Sequence, residues 1–365
     1  MPNPNTSALS AAGVSVWLDD LSRTSLADGT LARLIADTNV VGVTTNPAIF
    51  AAAIGKDDSY SDSIASAAAQ GLTANETVLQ TACADVAAAC DLLLPVYNAT
   101  QGRDGRVSIE VEPQHAHDRD ATVAQAKELW RNINRENLMI KVPATPAGML
   151  AVADLIASGI SVNVTLIFSV TQYREVINAY LVGIERALDA GLDISKIHSV
   201  ASVFISRLDT ATADTLAAAD AAGAELYGKL GVANARLIYE VFQQVSASER
   251  WQLLASQGAQ PQRPLWASTG VKDPALPATL YVDELIAADT VTTLPRATLA
   301  AFAESGTVQS DTITPNIDGA HRVLNAAAQL GVDYTAVTAE LARDGLEKFE
   351  IAWNELIATV AGKMS

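Results

Sequence analysis

Lys141 stands inside the apolar segment NLMIKVPAT, one residue before a valine and two before a proline. A lysine there is costly as a passive residue, because an unpaired buried ammonium is strongly unfavourable and lysine is almost never fully buried without a partner. The chemistry open to it is nucleophilic: desolvation favours the neutral amine, which adds to a ketone to give a carbinolamine and then an imine. Nearby carboxylates pull the other way, and the sequence leaves that balance open, as it leaves open a snorkelling or salt-bridged strand lysine. Two acids occupy comparable positions, Asp19 in VWLDDLSR and Glu110 in SIEVEP. Imine chemistry that cleaves a carbon–carbon bond needs one group to remove a hydroxyl proton and another to shuttle protons as carbinolamine becomes imine. Two acids fit two jobs, although each also fits a helix-capping or structural role, and Asp20 and Glu112 show how common acids are nearby. Asn46, Asn163, Thr165 and Ser202 add neutral hydrogen-bonding groups to the same rim.

Such groups act only if the fold gathers them. Eight runs read as strands: VSVWL (14–18), VVGVT (40–44), RVSIEV (106–111), LMIKV (138–142), ISVNVTL (160–166), IHSVASVF (197–204), LWAST (265–269) and TVTTL (290–294). Between them lie stretches such as ATVAQAKELWRNINRE (121–136) and VTQYREVINAYLVGIERALDAG (170–191), whose apolar residues recur at three and four. Alternating strand and helix implies parallel strands with right-handed crossovers, and eight repeats imply an α/β fold closed as a (β/α)8 TIM barrel with additional helices.

Strand polarity supports closure. Strands of an open parallel sheet are covered on both faces and almost wholly apolar. Here Val41 and Val43 oppose Gly42 and Thr44, Ile109 and Val111 oppose Ser108 and Glu110, Ile140 and Val142 oppose Lys141, and Val162 and Val164 oppose Ser161, Asn163 and Thr165. In a barrel the apolar set packs outward on helices, and the inward set near the C-terminal rim lines the site. The chain, 1–365, reads as a single barrel domain with helical insertions at about 51–105 and 208–262. The first insertion holds two alanine-rich helices and the turn-rich NATQGRDGR; the second ends at the turn signals Gly258, Pro261 and Pro264. A small lid domain is the alternative reading of these insertions.

Composition narrows the partners. With 24 basic against 41 acidic residues the net charge is −17, which opposes binding to nucleic acid or anionic lipid, so neither is an expected partner. An anionic substrate must then be held by a few local cations. The opening MPNPNTSALSAAG lacks the basic start and apolar core of a secretory signal, and no apolar run reaches membrane-spanning length, so a cytoplasmic location is expected. Cys83 and Cys90 lie in an alanine-rich helical stretch where a shared buried face accounts for them without a redox role. His115 and His117 follow the third strand in a polar turn, and nothing completes a ligand set around them, so no metal is expected. No Gly-rich dinucleotide fingerprint or GxxxxGK loop is present, and no cofactor is expected.

The segments WLDDLSR, GVTTNPAIF, SIEVEP, NLMIKVPAT, ISVNVTLIFS, SVASVFISRLD and ASTGVKDP resemble, in order and at compatible distances along nearly the whole chain, the motifs of the transaldolase family of class I aldolases. TTNPAIF, IKVPAT and NVTLIFS are specific together and weak singly. The resemblance implies that Lys141 is the Schiff-base lysine, Asp19 the acid/base of the cleavage step, and Glu110 a partner working through a water that Thr165 helps hold. It implies that Asn46 and Asn163 bind hydroxyls of a dihydroxyacetone moiety, with Thr44 and Ser202 beside them, that Phe204 walls the site, and that Arg207 and Ser268 contact phosphate. Some family members carry a second arginine shortly after that serine; here the segment reads STGVKDP, and Lys272 is the expected substitute cation, a point charge in place of a fork. The long insertions are similar to the family's larger branch.

The reaction so implied moves a dihydroxyacetone unit from a ketose phosphate (sedoheptulose 7-phosphate or fructose 6-phosphate) to an aldose phosphate (glyceraldehyde 3-phosphate or erythrose 4-phosphate). It belongs to the non-oxidative pentose phosphate pathway, with sugar phosphates as partners and a monomer or homodimer as the acting form. The rival enzymatic expectation is a Schiff-base lyase that releases free dihydroxyacetone or uses its phosphate. A non-catalytic sugar-phosphate sensor on the same barrel is opposed by the joint presence of Lys141, Asp19 and Glu110.

Overall fold

Eight parallel strands close a barrel in the computed structural model, which describes residues 2–365. They are β1 (Val14–Leu18), β2 (Val40–Thr44), β3 (Arg106–Glu110), β4 (Leu138–Pro143), β5 (Val162–Ile167), β6 (Ser199–Phe204), β7 (Gln262–Ala267) and β8 (Thr290–Leu294). Neighbours pair in chain order and β8 returns to pair with β1, so the expected (β/α)8 barrel with additional helices is the observed architecture.

Closure rests on a division of the strand residues between two packing environments. Val43, Ile109, Ile140, Val142, Val162, Val164 and Val203 belong to the apolar layer between strands and surrounding helices. Trp17, Met139, Val200, Leu265 and Val291 belong to a separate cluster that fills the interior. By strand alternation Lys141 shares the face of Met139, and Ser202 that of Val200. Toward the N-terminal end of the strands the interior is plugged by charge: Arg263 reaches Asp104 at 3.0 Å, Ser15 donates to Asp104 at 2.8 Å, and Trp17 Nε1 donates to Asp104 at 3.2 Å. The reactive groups are thereby confined to the opposite, C-terminal mouth.

Several local expectations need correction. β7 runs over Gln262–Ala267 instead of 265–269, because Pro264 is tolerated where the ladder to β8 begins only at Leu265, and because Ser268 adopts φ 55 and ends the strand. Val41 does not share the outward face of Val43: the pairing of β1 with β2 shifts register there, and Val41 packs with the inner cluster while Val40 takes the outer place. In β5 a similar irregularity between Val164 and Ile167 puts Leu166 at φ 61 and turns it inward, leaving Ile167 to the outer layer.

The first insertion contains three helices, Pro47–Lys56, Ser61–Ala69 and Ala74–Ala99, where two were expected. The short break at Asp57, whose side chain accepts from Ser59 N–H, separates the first two. Contrary to expectation, one helix, Ala74–Ala99, is long and apolar enough to cross a membrane, with a mean hydropathy of 1.4. It packs against β2 and β3 and buries Asp85, which pairs with Arg23 at 3.0 Å, so core packing accounts for its composition. Cys90 is buried on the same helix and Cys83 half-buried, both against the outer apolar layer. Ser206–Ala217, Asp220–Ala224, Leu230–Ser246 and Glu249–Ser256 make up the second helical region. A helix of 31 residues, Tyr334–Met364, closes the chain and packs on Pro47–Lys56, Ala74–Ala99, Ser206–Ala217 and β5.

Gly42 is packed closely against the barrel interior, since a Cβ there would lie 2.5 Å from the indole ring of Trp17. Gly42→Ala is therefore expected to lose about 1–3 kcal/mol of unfolding free energy in urea titrations, the usual cost of overpacking a filled core. An unchanged midpoint would contradict the tight ring-to-backbone packing.

Candidate active site

The amine of Lys141 is buried at the barrel mouth, 3% exposed, where a charged or reactive nitrogen must find polar company. Nζ lies 3.3 Å from Oε2 of Glu110, the residue paired with Lys141 across the β3–β4 register, and donates to the carbonyl of Thr45 at 3.1 Å. The ring of Phe349, from the C-terminal helix, lies 5.6 Å from Nζ. Burial pushes the Glu110 carboxyl up from its ordinary 4.5 to about 7, against the downward pull of Lys141. Asp19 is raised as well: solvent reaches part of its surface, but protein atoms surround it, and burial outweighs the attraction of Lys141 and the hydrogen bond from Thr44. A basic group and two acids that retain protons unusually well thus lie together at the barrel mouth, the arrangement that proton transfer near neutral pH requires.

Neutral groups fix the acids and the base. Thr44 donates to Asp19 at 2.8 Å and its hydroxyl lies 2.6 Å from that of Thr293 on β8. Asn163, paired with Lys141 across the β4–β5 register, donates to Ser108 at 3.1 Å and accepts from Ser202 at 2.7 Å, bridging β3, β5 and β6. The Thr165 hydroxyl is buried without a hydrogen-bond partner, and beyond the contact with Lys141 neither oxygen of Glu110 accepts a bond within the protein. Buried polar atoms left in this state are normally completed by water or ligand. Asn46 caps the helix Pro47–Lys56, its side-chain oxygen accepting from Ile49 N–H at 3.0 Å with Pro47 in the first turn. That cap ends β2 abruptly and presents the Thr45 carbonyl to Lys141.

A second end of the site lies on β6 and the helix that follows. Arg207 stacks over Phe204, with 4.9 Å from Cζ to the ring centroid, and Phe204 meets Phe168 at 5.4 Å between centroids. One guanidinium nitrogen of Arg207, Nη1, is buried without a partner. Ser268 reaches the same helix start, its hydroxyl 2.8 Å from that of Ser206. Lys272 is exposed and lines a cavity of about 340 Å³ with Thr210, one turn beyond Arg207, and with Tyr227. It approaches Gly270, where an added Cβ would lie 4.0 Å from its amine, and it does not join Lys141, Asp19 and Glu110.

Sequence reasoning overlooked the roof of the site. Gly345, Phe349 and Trp353 recur every fourth residue on the C-terminal helix and lie respectively over Arg207, over Lys141 and beside Glu110. Four-residue spacing marks one helix face, but only the tertiary contact tells which side of the barrel it covers. Thr45 and Thr293 were overlooked for a related reason: one acts through its backbone and the other through a neighbour on the far side of the closure seam. A large groove of about 740 Å³ runs between the same helix and the loops after β4 and β5, with His117, Thr145 and Ser169 in its wall. Neither Lys141 nor either acid lines it, so size does not mark the chemistry.

Comparison with known sequences agrees with this geometry. The family described as Transaldolase/Fructose-6-phosphate aldolase matches residues 16–360. Transaldolase 1 of Streptomyces avermitilis is 54% identical over 358 residues, covering 98% of this chain and 95% of its own. The transaldolase of Renibacterium salmoninarum is 54% identical, covering 97% and 95%, and that of Arthrobacter sp. is 53% identical, covering 99% and 97%.

The raised Glu110 carboxyl ties stability to pH. Because the folded state holds this proton up to about 7 while the unfolded chain releases it near 4.5, stability from this group is full below the lower value and is lost as pH rises to the upper one. Glu110→Gln removes the loss, so the melting temperature of the variant should gain on that of the parent as pH rises across this window. A difference that stayed constant with pH would contradict the assignment.

Proposed function

Because this chain belongs to the transaldolase/fructose-6-phosphate aldolase family, we propose that it is a transaldolase carrying a dihydroxyacetone unit from sedoheptulose 7-phosphate or fructose 6-phosphate to glyceraldehyde 3-phosphate or erythrose 4-phosphate. The observation that carries this reading is the buried Lys141 amine, 3.3 Å from Glu110, in the mouth that also holds Asp19.

Lys141, as the free amine, adds to the C2 carbonyl of the donor. One amine proton passes to the former carbonyl oxygen to give the carbinolamine; protonated Glu110 then gives a proton through a water shared with Thr165, the hydroxyl leaves as water, and a protonated imine forms. Asp19 takes the proton of the C4 hydroxyl; the C3–C4 bond breaks, its electron pair flows into the imine, and an aldose phosphate departs. The enamine left on Lys141 attacks the aldehyde of a second aldose phosphate, and the same steps in reverse release the new ketose. Asn163 and Asn46 hold hydroxyls of the three-carbon unit, Thr44 and Ser202 orient Asp19 and Asn163, and Phe204 walls the site. Arg207 and Ser268 receive the phosphate, with Lys272 as a more distant positive charge. No metal or organic cofactor enters these steps, which place the enzyme in the non-oxidative pentose phosphate pathway.

Two measurements test the proposal. With fructose 6-phosphate as donor, glyceraldehyde 3-phosphate should be released beyond one equivalent per enzyme only when erythrose 4-phosphate is supplied; steady release of free dihydroxyacetone without an acceptor would make the enzyme a lyase instead. Arg207→Ala should lower kcat/KM for phosphorylated donors about a hundredfold, the scale of a lost charge-assisted phosphate contact, while leaving unphosphorylated donors within a few-fold. Equal losses on both would remove Arg207 from the phosphate site.

A further inference from the structure

Gly345 sits in the interior of the C-terminal helix, a place where glycine is unfavourable relative to alanine. An added Cβ would lie 3.1 Å from Nη1 of Arg207, 3.1 Å from Cδ2 of Leu166 and 3.5 Å from Phe168. Leu166 is held in that place by its left-handed backbone, φ 61, at the irregularity ending β5. The guanidinium of Arg207 therefore occupies a slot floored by the Phe204 ring and roofed by the bare backbone of Gly345. The nitrogen under the glycine is the one that is buried and without a partner. Asp344, the nearest acid along the helix, is occupied by Lys348 at 2.6 Å and does not take up that donor.

We infer that Gly345 is a positioning residue for substrate phosphate: by lacking a side chain it keeps the Arg207 guanidinium flat on Phe204 with one donor free, and so sets the preference for phosphorylated over unphosphorylated ketoses. The inference rests on the assignment of Arg207 to phosphate. The register of the roof fits such a role. Gly345 and Phe349 are one helical turn apart, about 6 Å along the axis, so the helix that leaves room at Arg207 places its aromatic ring over Lys141. One rigid element thereby covers both the phosphate end and the imine end of the substrate.

The test is Gly345→Ala, assayed with fructose 6-phosphate and with unphosphorylated fructose as donors. An arginine tip yields more readily than backbone, so the added methyl should displace the guanidinium and leave the helix in place. The expected result is a KM for fructose 6-phosphate raised about tenfold, as for one weakened charge-assisted hydrogen bond, with kcat and the kcat/KM for fructose changed less than about twofold. The melting temperature should be equal or higher, because alanine favours the helix. Combined with Arg207→Ala, the substitution should have no further effect on the ratio between the donors. Equal losses on both donors, no change on either, or a lowered melting temperature with both activities lost would each overturn the inference, the last by showing that the helix lifts. If Arg207→Ala proves selective for phosphorylated donors and Gly345→Ala does not, only the inference fails. If Arg207→Ala is itself unselective, the phosphate assignment fails with it.

Discussion

One amine and two carboxyl groups gathered in a barrel mouth cannot all be charged at little cost. Burial outweighs the pull of Lys141 on both acids, so Glu110 keeps its proton to about 7 and Asp19 is raised in the same direction. The rest of the molecule can be understood as what makes this confinement tolerable. The Thr45 carbonyl and the Phe349 face accept the amine, Thr44 donates to Asp19, and the interior below is filled by Trp17, Met139 and Leu265.

The same constraint explains the unusual strands. A β-strand bearing a buried lysine or asparagine is acceptable only if its outward face carries enough apolar area to hold the sheet to its helices. Ile140 and Val142 do this around Lys141, and Val162 and Val164 around Asn163. The inner face is then available for function, with packing residues such as Met139 and Val200 one step down the strand from reactive ones such as Lys141 and Ser202. Caps complete the design: Asn46 and Thr145 each stop a strand and begin a helix within two residues, which holds the C-terminal loops short and the rim rigid.

Much of this was legible before any coordinates, and the reasons are physical. Alternation with a period of two identifies inward positions locally, so Lys141, Glu110, Asn163 and Thr165 could be placed on one face without knowing the fold. Irregular positions defeated the same logic: a register shift beside Gly42 moved Val41 inward, and a left-handed residue with no glycine beside it did the same for Leu166. Pro264 looked like a loop residue because proline usually ends strands, yet the pairing beside it tolerates one. The roof was invisible for a different reason. Gly345, Phe349 and Trp353 lie some two hundred residues from Lys141, and their four-residue spacing describes any buried helix face. Only the packing of the last helix across the mouth gives that stripe a meaning.

The central claim is that the Lys141 amine, held beside Glu110 in the mouth that also contains Asp19, forms the bond to substrate. Sodium borohydride added during incubation with fructose 6-phosphate should fix a reduced dihydroxyacetone adduct, and mass mapping of the digested protein should place it on the peptide containing Lys141. An adduct on another lysine, or none despite measurable turnover, would contradict the account.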